Sequence, residues 1–240
     1  MYHHNKDKKG FTLAEVLITL GIIGVVAALT IPTLVANYRE KVAVERLKKA
    51  YSTLSNAYIG VLNDYGDPTT WDVESFDDIV VMFSKYIKNA KVCKSLGKGC
   101  FATGVRKDLL NSNVNSMVDL SSFVINDGTV VGIEAQVGIK DALTCSNLNY
   151  CFQFDVDING DKPPNRWGVD TFIFHATKDK IIPRGGAGTQ GRQSTCNPVT
   201  TASNWYNGSG CGAWVIQMGN MDYLKCVNGN QKYCSQKYYF

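Results

Sequence analysis

Apolar residues run almost without interruption from Phe11 to Ile31, and the run holds one charged residue, Glu15. About 21 residues at 1.5 Å each reach across a hydrocarbon layer of roughly 30 Å, so a membrane-spanning helix is predicted. Beyond it the pattern changes. Leu34, Tyr38, Val42, Leu47, Tyr51, Leu54, Tyr58 and Val61 recur close to a helical period, with Arg39, Glu40, Lys41, Glu45, Arg46, Lys48 and Lys49 on much of the other side. The two stretches predict one helix of about 50 residues, apolar all round in its first half and amphipathic in its second. Gly24 and Pro32 lie inside it. Pro32 lacks a backbone donor and crowds the preceding turn, which makes it a place to kink. Gly66-Asp67-Pro68 ends the helix.

The remainder reads as a globular head. Ser75 and Asp78 form a capping-box signal, followed by an apolar face of Phe76, Ile79, Val80, Phe83 and Ile87. Asp127-Gly128 between β-rich runs over 122–133 predicts a hairpin. Strands are also predicted at 151–157 and 169–174, with a turn at Lys178-Asp179 into Ile181-Ile182. The sum is an antiparallel sheet of about four strands covering the amphipathic helix, an α+β fold. From Arg184 to Gly212 the composition shifts to Gly, Ser, Thr and Asn, which reads as a long loop, and 213–218 fits either a strand or a short helix. The Tyr238-Tyr239-Phe240 end is apolar enough to dock. The expected segments are therefore 1–10 as a leader, 11–31 as a membrane helix, 32–65 as its amphipathic continuation and 66–240 as the head.

Charge adds little, but cysteines change the picture. The net charge is +4, and Lys6, Asp7, Lys8 and Lys9 supply half of it, so the balance gives no case for a nucleic-acid binder. Eight cysteines, Cys93, Cys100, Cys145, Cys151, Cys196, Cys211, Cys226 and Cys234, all follow the apolar run. They form no CxxC and no zinc spacing, and an even set points to disulfides and an oxidising compartment. Pairing neighbours along the chain is the simplest scheme, although eight cysteines allow 105 connectivities. The lysines before the apolar run place the N-terminus in the cytoplasm and the head across the membrane.

Glu15 is the anomaly. An acid at membrane depth costs roughly 2.5–3.5 kcal/mol, and the segment offers no Lys or Arg to pair with it. A cut between Gly10 and Phe11 would create a positive α-amino group on Phe11, four residues away on the same helix or within reach from a neighbouring copy. Glu15 then marks the register at which copies stack. The stretch Lys8-Lys9-Gly10-Phe11-Thr12-Leu13-Ala14-Glu15 resembles the class III leader and N-terminal methylation motif of type IV pilins and type II secretion pseudopilins, with Gly24 and Pro32 where that family loosens the helix. The resemblance implies a pilin-like fold. It also implies cleavage after Gly10 and N-methylation of Phe11 by a prepilin peptidase, and a role for Glu15 in filament assembly. The subunit would wait in the inner membrane as a single-pass protein, then pass through an assembly platform into a filament of its own copies and other pilins or pseudopilins.

One further constellation carries chemistry. Asp155-Val-Asp157-Ile-Asn159-Gly160-Asp161, followed by Asn165 and Asp170, places alternate oxygens around a glycine turn, the opening of an EF-hand-like calcium loop. Arg166 stands where that loop needs its bidentate acid, and an Asx-rich turn stiffened by Pro163-Pro164 explains the same residues. The lysine series Lys85, Lys88, Lys91, Lys94 and Lys98 lacks interleaved aromatics and reads as a solvated face rather than a nucleic-acid contact. His3 and His4 fall in the leader, which leaves His175 alone as a satisfied structural histidine. No nucleophile elbow, Walker loop, dinucleotide fingerprint or zincin helix occurs, so an enzyme is not expected. Two readings remain beside the filament subunit: a minor tip subunit acting as an adhesin or cargo-binding module, and an exported soluble binding domain.

Overall fold

The computed structural model describes residues 10–93, 100, 105–116, 120–135, 137–146, 149–160, 162–186, 195–199 and 206–227. Contacts divide the chain into two units, Met1–Lys41 and Val42–Phe240. Helix α1 spans Leu13–Tyr65, Pro32 included, so the expected kink does not interrupt the helix. Its start is fixed by Thr12, whose Oγ1 accepts the Glu15 N–H at 3.2 Å and whose N–H and hydroxyl both donate to Glu15 Oε2 at 2.8 Å. This is a reciprocal capping box, which satisfies donors the helix itself leaves unpaired. The end comes at Gly66, whose N–H reaches Leu62 O at 2.9 Å, and Trp71 Nε1 donates to Gly66 O.

Within the second unit, Val44, Leu47, Ala50, Leu54, Ala57, Tyr58 and Val61 are buried, a stripe at helical spacing. A six-stranded antiparallel sheet lies against it. The strands are β1 Lys91–Cys93, β4 Ser121–Val124, β5 Val130–Glu134, β6 Phe152–Asp157, β7 Thr171–Ala176 and β8 Ile181–Pro183, in the spatial order β1-β4-β5-β6-β7-β8. Two more, β2 Val105–Lys107 and β3 Asn113–Ser116, form a separate ribbon. Phe152, Phe154 and Val156 of β6 and Phe172, Phe174 and Ala176 of β7 face the helix, alternating as a pleat requires. Helix α2, Phe76–Ser84, closes the core with Ile79, Val80 and Phe83, its start capped by Ser75 and Asp78. Tyr58 sits at the centre: its ring stacks on Phe83 with centroids 5.8 Å apart and meets Phe152 edge-on, while its hydroxyl donates to Thr177 O. Each such large side chain contributes about 1.5–3 kcal/mol when fully buried.

The other face of the sheet is also buried, so both sides of β6 and β7 are enclosed. Alternation here does not separate core from solvent; it separates an apolar core from a polar one. Three more α-helices, α3 Ile139–Leu143, α4 Gly212–Met218 and α5 Tyr223–Val227, and a 3₁₀ turn at Pro68–Thr70 belong to the described fold. Residues 213–218 are thus helical. The sheet has six strands rather than about four, because Lys91–Cys93 adds an edge to β4 and β8 adds the other. Disulfides join Cys93–Cys100, Cys145–Cys151 and Cys196–Cys211. A partner for Cys226 at Cys234 lies outside the described residues, as do Lys94, Lys98 and the aromatic C-terminus. The Cys196–Cys211 bridge closes 15 residues, a span worth about 3 kcal/mol in the chain-entropy account.

That bridged loop meets β7 through its backbone, Ser209 O accepting from Ile173 N at 3.3 Å. Gly208 donates to Thr195 O at 2.7 Å, and a Cβ at this residue would lie 2.5 Å from Trp167 O. On that polar face, His175 is 4% exposed and stacks on Tyr150 at 3.9 Å, but its Nε2 has no hydrogen-bond partner, so the expected satisfied histidine is not satisfied at that nitrogen. Burial, then the nearby Arg184 charge, pull His175 down to about 3.

Two outcomes follow from this packing. Gly208→Ala meets both a φ of +104° and a backbone oxygen, and should cost about 3 kcal/mol or more. Gly128→Ala, with φ +85° in open space, should cost only about 1–2 kcal/mol. Urea denaturation of both variants checks the ranking, and equal midpoints would contradict it. For His175, the unfolded imidazole titrates near 6.5 and the native one near 3. Its contribution is therefore complete above pH 6.5 and is lost as pH falls toward 3, by up to about 1.4 kcal/mol per unit. His175→Phe keeps the ring stack and removes the titration, so the stability of wild type relative to the variant should drop between about pH 6 and 4.

Candidate functional site

Two places carry residues singled out by sequence. The first is the start of α1. Phe11 is 89% exposed, and Leu13, Leu17, Ile18, Leu20, Ile22 and Ile23 follow with more than half their surface uncovered. An 18-residue stretch of α1 has a mean hydropathy of 2.3, and none of that stretch is buried. An apolar helix left uncovered among the described residues calls for lipid or for other helices. Gly24 and Pro32 lie within this unbroken helix. Among the described residues the Glu15 carboxylate is held by Thr12, through Oε2, in a chain whose Phe11 nitrogen is still part of a peptide bond. The cap fixes one carboxylate oxygen and leaves Oε1 for a later partner.

The second is the connection from β6 to β7. Asp170 organises it: its carboxylate accepts from Asn165 N at 2.9 Å, Arg166 N at 2.6 Å, Asn159 Nδ2 at 3.2 Å and Thr171 Oγ1 at 3.2 Å. Asp157 Oδ1 accepts from Asn159 N at 3.1 Å, while its Oδ2 is buried without a partner. Asn159 Oδ1 and Asn165 Oδ1 share that condition. Burial, and then the charge of Asp170, push Asp157 up to about 8. Desolvation also raises Asp170, against four hydrogen bonds that lower it.

The spacing that grouped Asp155 with this loop does not survive folding. Asp155 lies on β6 beside Asp157, but its Oδ2 forms a salt bridge with Arg106 Nη1 at 2.9 Å and its Oδ1 accepts from Gln153 Nε2 at 3.0 Å. Arg106 also lies over the Trp167 ring at 4.0 Å, so the pair belongs to the polar layer under the β2–β3 ribbon. Gln153 Nε2 donates its other proton to Glu134 at 2.7 Å, and burial followed by the Asp155 charge pushes Glu134 up to about 8. Asp161 lies outside the described residues. Asn165, which the sequence places with the same residues, stays in the loop, where its N–H donates to Asp170. Among the described residues, no three His, Cys, Asp or Glu side chains gather as a metal set. Elsewhere, a cleft of about 340 Å³ opens between the end of α1 and α2, lined by Tyr65, Trp71, Asp72, Val81, Met82 and Lys85 among others.

Comparison with known families agrees with this division of the chain. A model described as the prokaryotic N-terminal methylation motif matches residues 5–31, the stretch that holds Gly10, Phe11, the Thr12–Glu15 cap and the uncovered apolar helix. A second, described as a family of unknown function (DUF6613), matches residues 33–185, well over half of the 240 residues, and includes the β6–β7 connection. No curated protein and no solved structure matches the chain. The chain thus belongs to the family of unknown function DUF6613 and, by its methylation motif and N-terminal apolar helix, is a pilin-like, prepilin-type subunit anchored in a membrane.

Proposed function

We propose that this chain is a structural subunit of a type IV pilus or type II secretion pseudopilus. A prepilin peptidase cuts between Gly10 and Phe11 and methylates the new amine. Until assembly the subunit crosses the inner membrane once, with residues 66–240 on the extracytoplasmic side. The assembly platform then moves it into a helical filament with its own copies and other pilins or pseudopilins. The observation that carries the reading is the methylation motif over 5–31 set on an apolar helix that is uncovered among the described residues. The disulfides support an oxidising location for the head.

The physical role falls to Glu15. In a stack of apolar helices the methylated amine of one copy meets a carboxylate already held by Thr12, and the pair forms only at one stagger. Repetition of that single contact, the same two surfaces each time, builds an open helical assembly rather than a closed ring.

Mass spectrometry of the mature N-terminus tests the processing, and N-methyl-Phe11 is the expected first residue. A start at Met1, or near Ala28, would reject the filament reading. Glu15→Ala should leave the head folded and exported, yet weaken copolymerisation roughly a hundredfold, since it leaves a buried amine without its counter-charge. Sedimentation of sheared filaments reads this directly, and normal yields from the variant would remove Glu15 from assembly.

A further inference from the structure

The polar face of the sheet gathers a set of unmet groups at the end away from the β6–β7 connection. Strand register brings them together. Glu134, Gln153, His175 and Ile182 are successive cross-strand partners, and Asp155 and Ile173 pair in the next row on the same face. Arg184 continues that second row, its N–H donating to Ile173 O at 3.0 Å. Residues directly opposite share a face, and diagonal ones lie about 7–8 Å apart, within reach of a long side chain. Tyr150 lies flat on the His175 ring at 3.9 Å, and the Arg184 guanidinium stands 5.9 Å from the Tyr206 ring centre. Its charge acts on His175, Tyr150 and Glu134 alike.

The donors here outnumber their acceptors. His175 Nε2 is buried without a hydrogen bond, on a residue only 4% exposed. Among the described residues, neither the Arg184 guanidinium nor the Tyr150 hydroxyl meets an acceptor, and no carboxylate lies within 4.0 Å of Arg184. Burial works against that guanidinium, as it does for any ion taken from water without a counter-ion. One acceptor is unmet as well: Gln153 Oε1 is buried and unpaired, while Gln153 Nε2 donates to Glu134 and Asp155. Arg184, Glu134 and Tyr206 are half-buried and form the solvent side of the set; His175, Gln153 and Tyr150 form its floor.

We propose that this end of the polar face binds a small monocarboxylate, its oxygens held by the Arg184 guanidinium, His175 Nε2–H and the Tyr150 hydroxyl. The planar fork of an arginine matches the two oxygens of a carboxylate. Burial keeps His175 neutral, and the tautomer with its proton on Nε2 makes it a donor. Charge sets the limit of one negative unit. Arg106 is already paired with Asp155, and burial holds Glu134 as the neutral acid, so Arg184 supplies the single uncompensated positive charge. A dianion such as sulfate would exceed it and meet Asp155. Gln153 Oε1 asks for a donor beside the carboxylate. An α-hydroxyl offers one, and so does the last N–H of a peptide chain.

The test uses the full chain in detergent with ¹⁵N-labelled histidine, at about pH 7. Sodium lactate, N-acetylglycine, acetate and sulfate are the probes, each against sodium chloride at equal ionic strength. The chain has three histidines, and His175→Phe identifies the His175 signal by its loss. Lactate or N-acetylglycine should move the His175 Nε2 resonance saturably, with a Kd of roughly 1 mM, and raise Tm. Acetate, which lacks the neighbouring donor, should bind about tenfold more weakly. A stronger response to lactate assigns the site to a free hydroxy acid, and a stronger one to N-acetylglycine assigns it to a peptide end. Arg184→Gln removes a half-buried charge, so its Tm in chloride should equal or exceed that of wild type while the response disappears. Arg184→Lys keeps the charge without the fork and should bind about tenfold more weakly. A His175 resonance that no carboxylate moves overturns the site. So does sulfate as effective as lactate, or an Arg184→Gln chain that keeps the wild-type response.

Discussion

The contact between one helical stripe and one aromatic sheet face organises the second unit. Leu47, Leu54, Tyr58 and Val61 of α1 meet Phe152, Phe154, Phe172 and Phe174, and neither surface is stable in water alone. Tyr58 makes the contact directional, since its hydroxyl must find Thr177 O while its ring fits between Phe83, Trp71 and Phe152. A slip of one helical turn would strand that hydroxyl in the core, so polar satisfaction fixes a register that apolar burial by itself would leave loose.

Behind the sheet a second interior follows the opposite rule. Gln153, Asp155, Asp157 and His175 point away from the helix yet are almost fully enclosed. A layer of this kind is stable only where donors and acceptors match, and most of them do, through Arg106, Gln153 and Asp170. The unmatched atoms concentrate in the β6–β7 connection. Geometry therefore separates two residues that the sequence places side by side: Asp155 is paired with Arg106, and Asp157, two residues on, has one carboxylate oxygen buried without a hydrogen bond.

Much of this was legible beforehand because it follows from period and punctuation. The helix from Leu13 to Tyr65, its stop at Gly66, the Ser75 cap, the Asp127-Gly128 hairpin and the strands β6 to β8 each carry a local signal of the right kind. What escaped depends on distant partners. Lys91–Cys93 reads as part of a charged series, and only pairing with β4 makes it a strand. The ribbon strands β2 and β3 are too short to show alternation. Asp155 was grouped with the loop because spacing reports direction along a strand, not that Arg106, 49 residues earlier, waits on the same face.

The three described disulfides share a feature with a bearing on biogenesis. Each links a cysteine to the next cysteine along the chain, across 7, 6 and 15 residues. A polypeptide that emerges N-terminus first exposes each correct pair before the following one has left the translocation channel. An oxidase acting on whichever thiols are adjacent at that moment would write the right bonds in order, with no proofreading of a fully released chain. Threading direction itself then serves as the template for cross-linking.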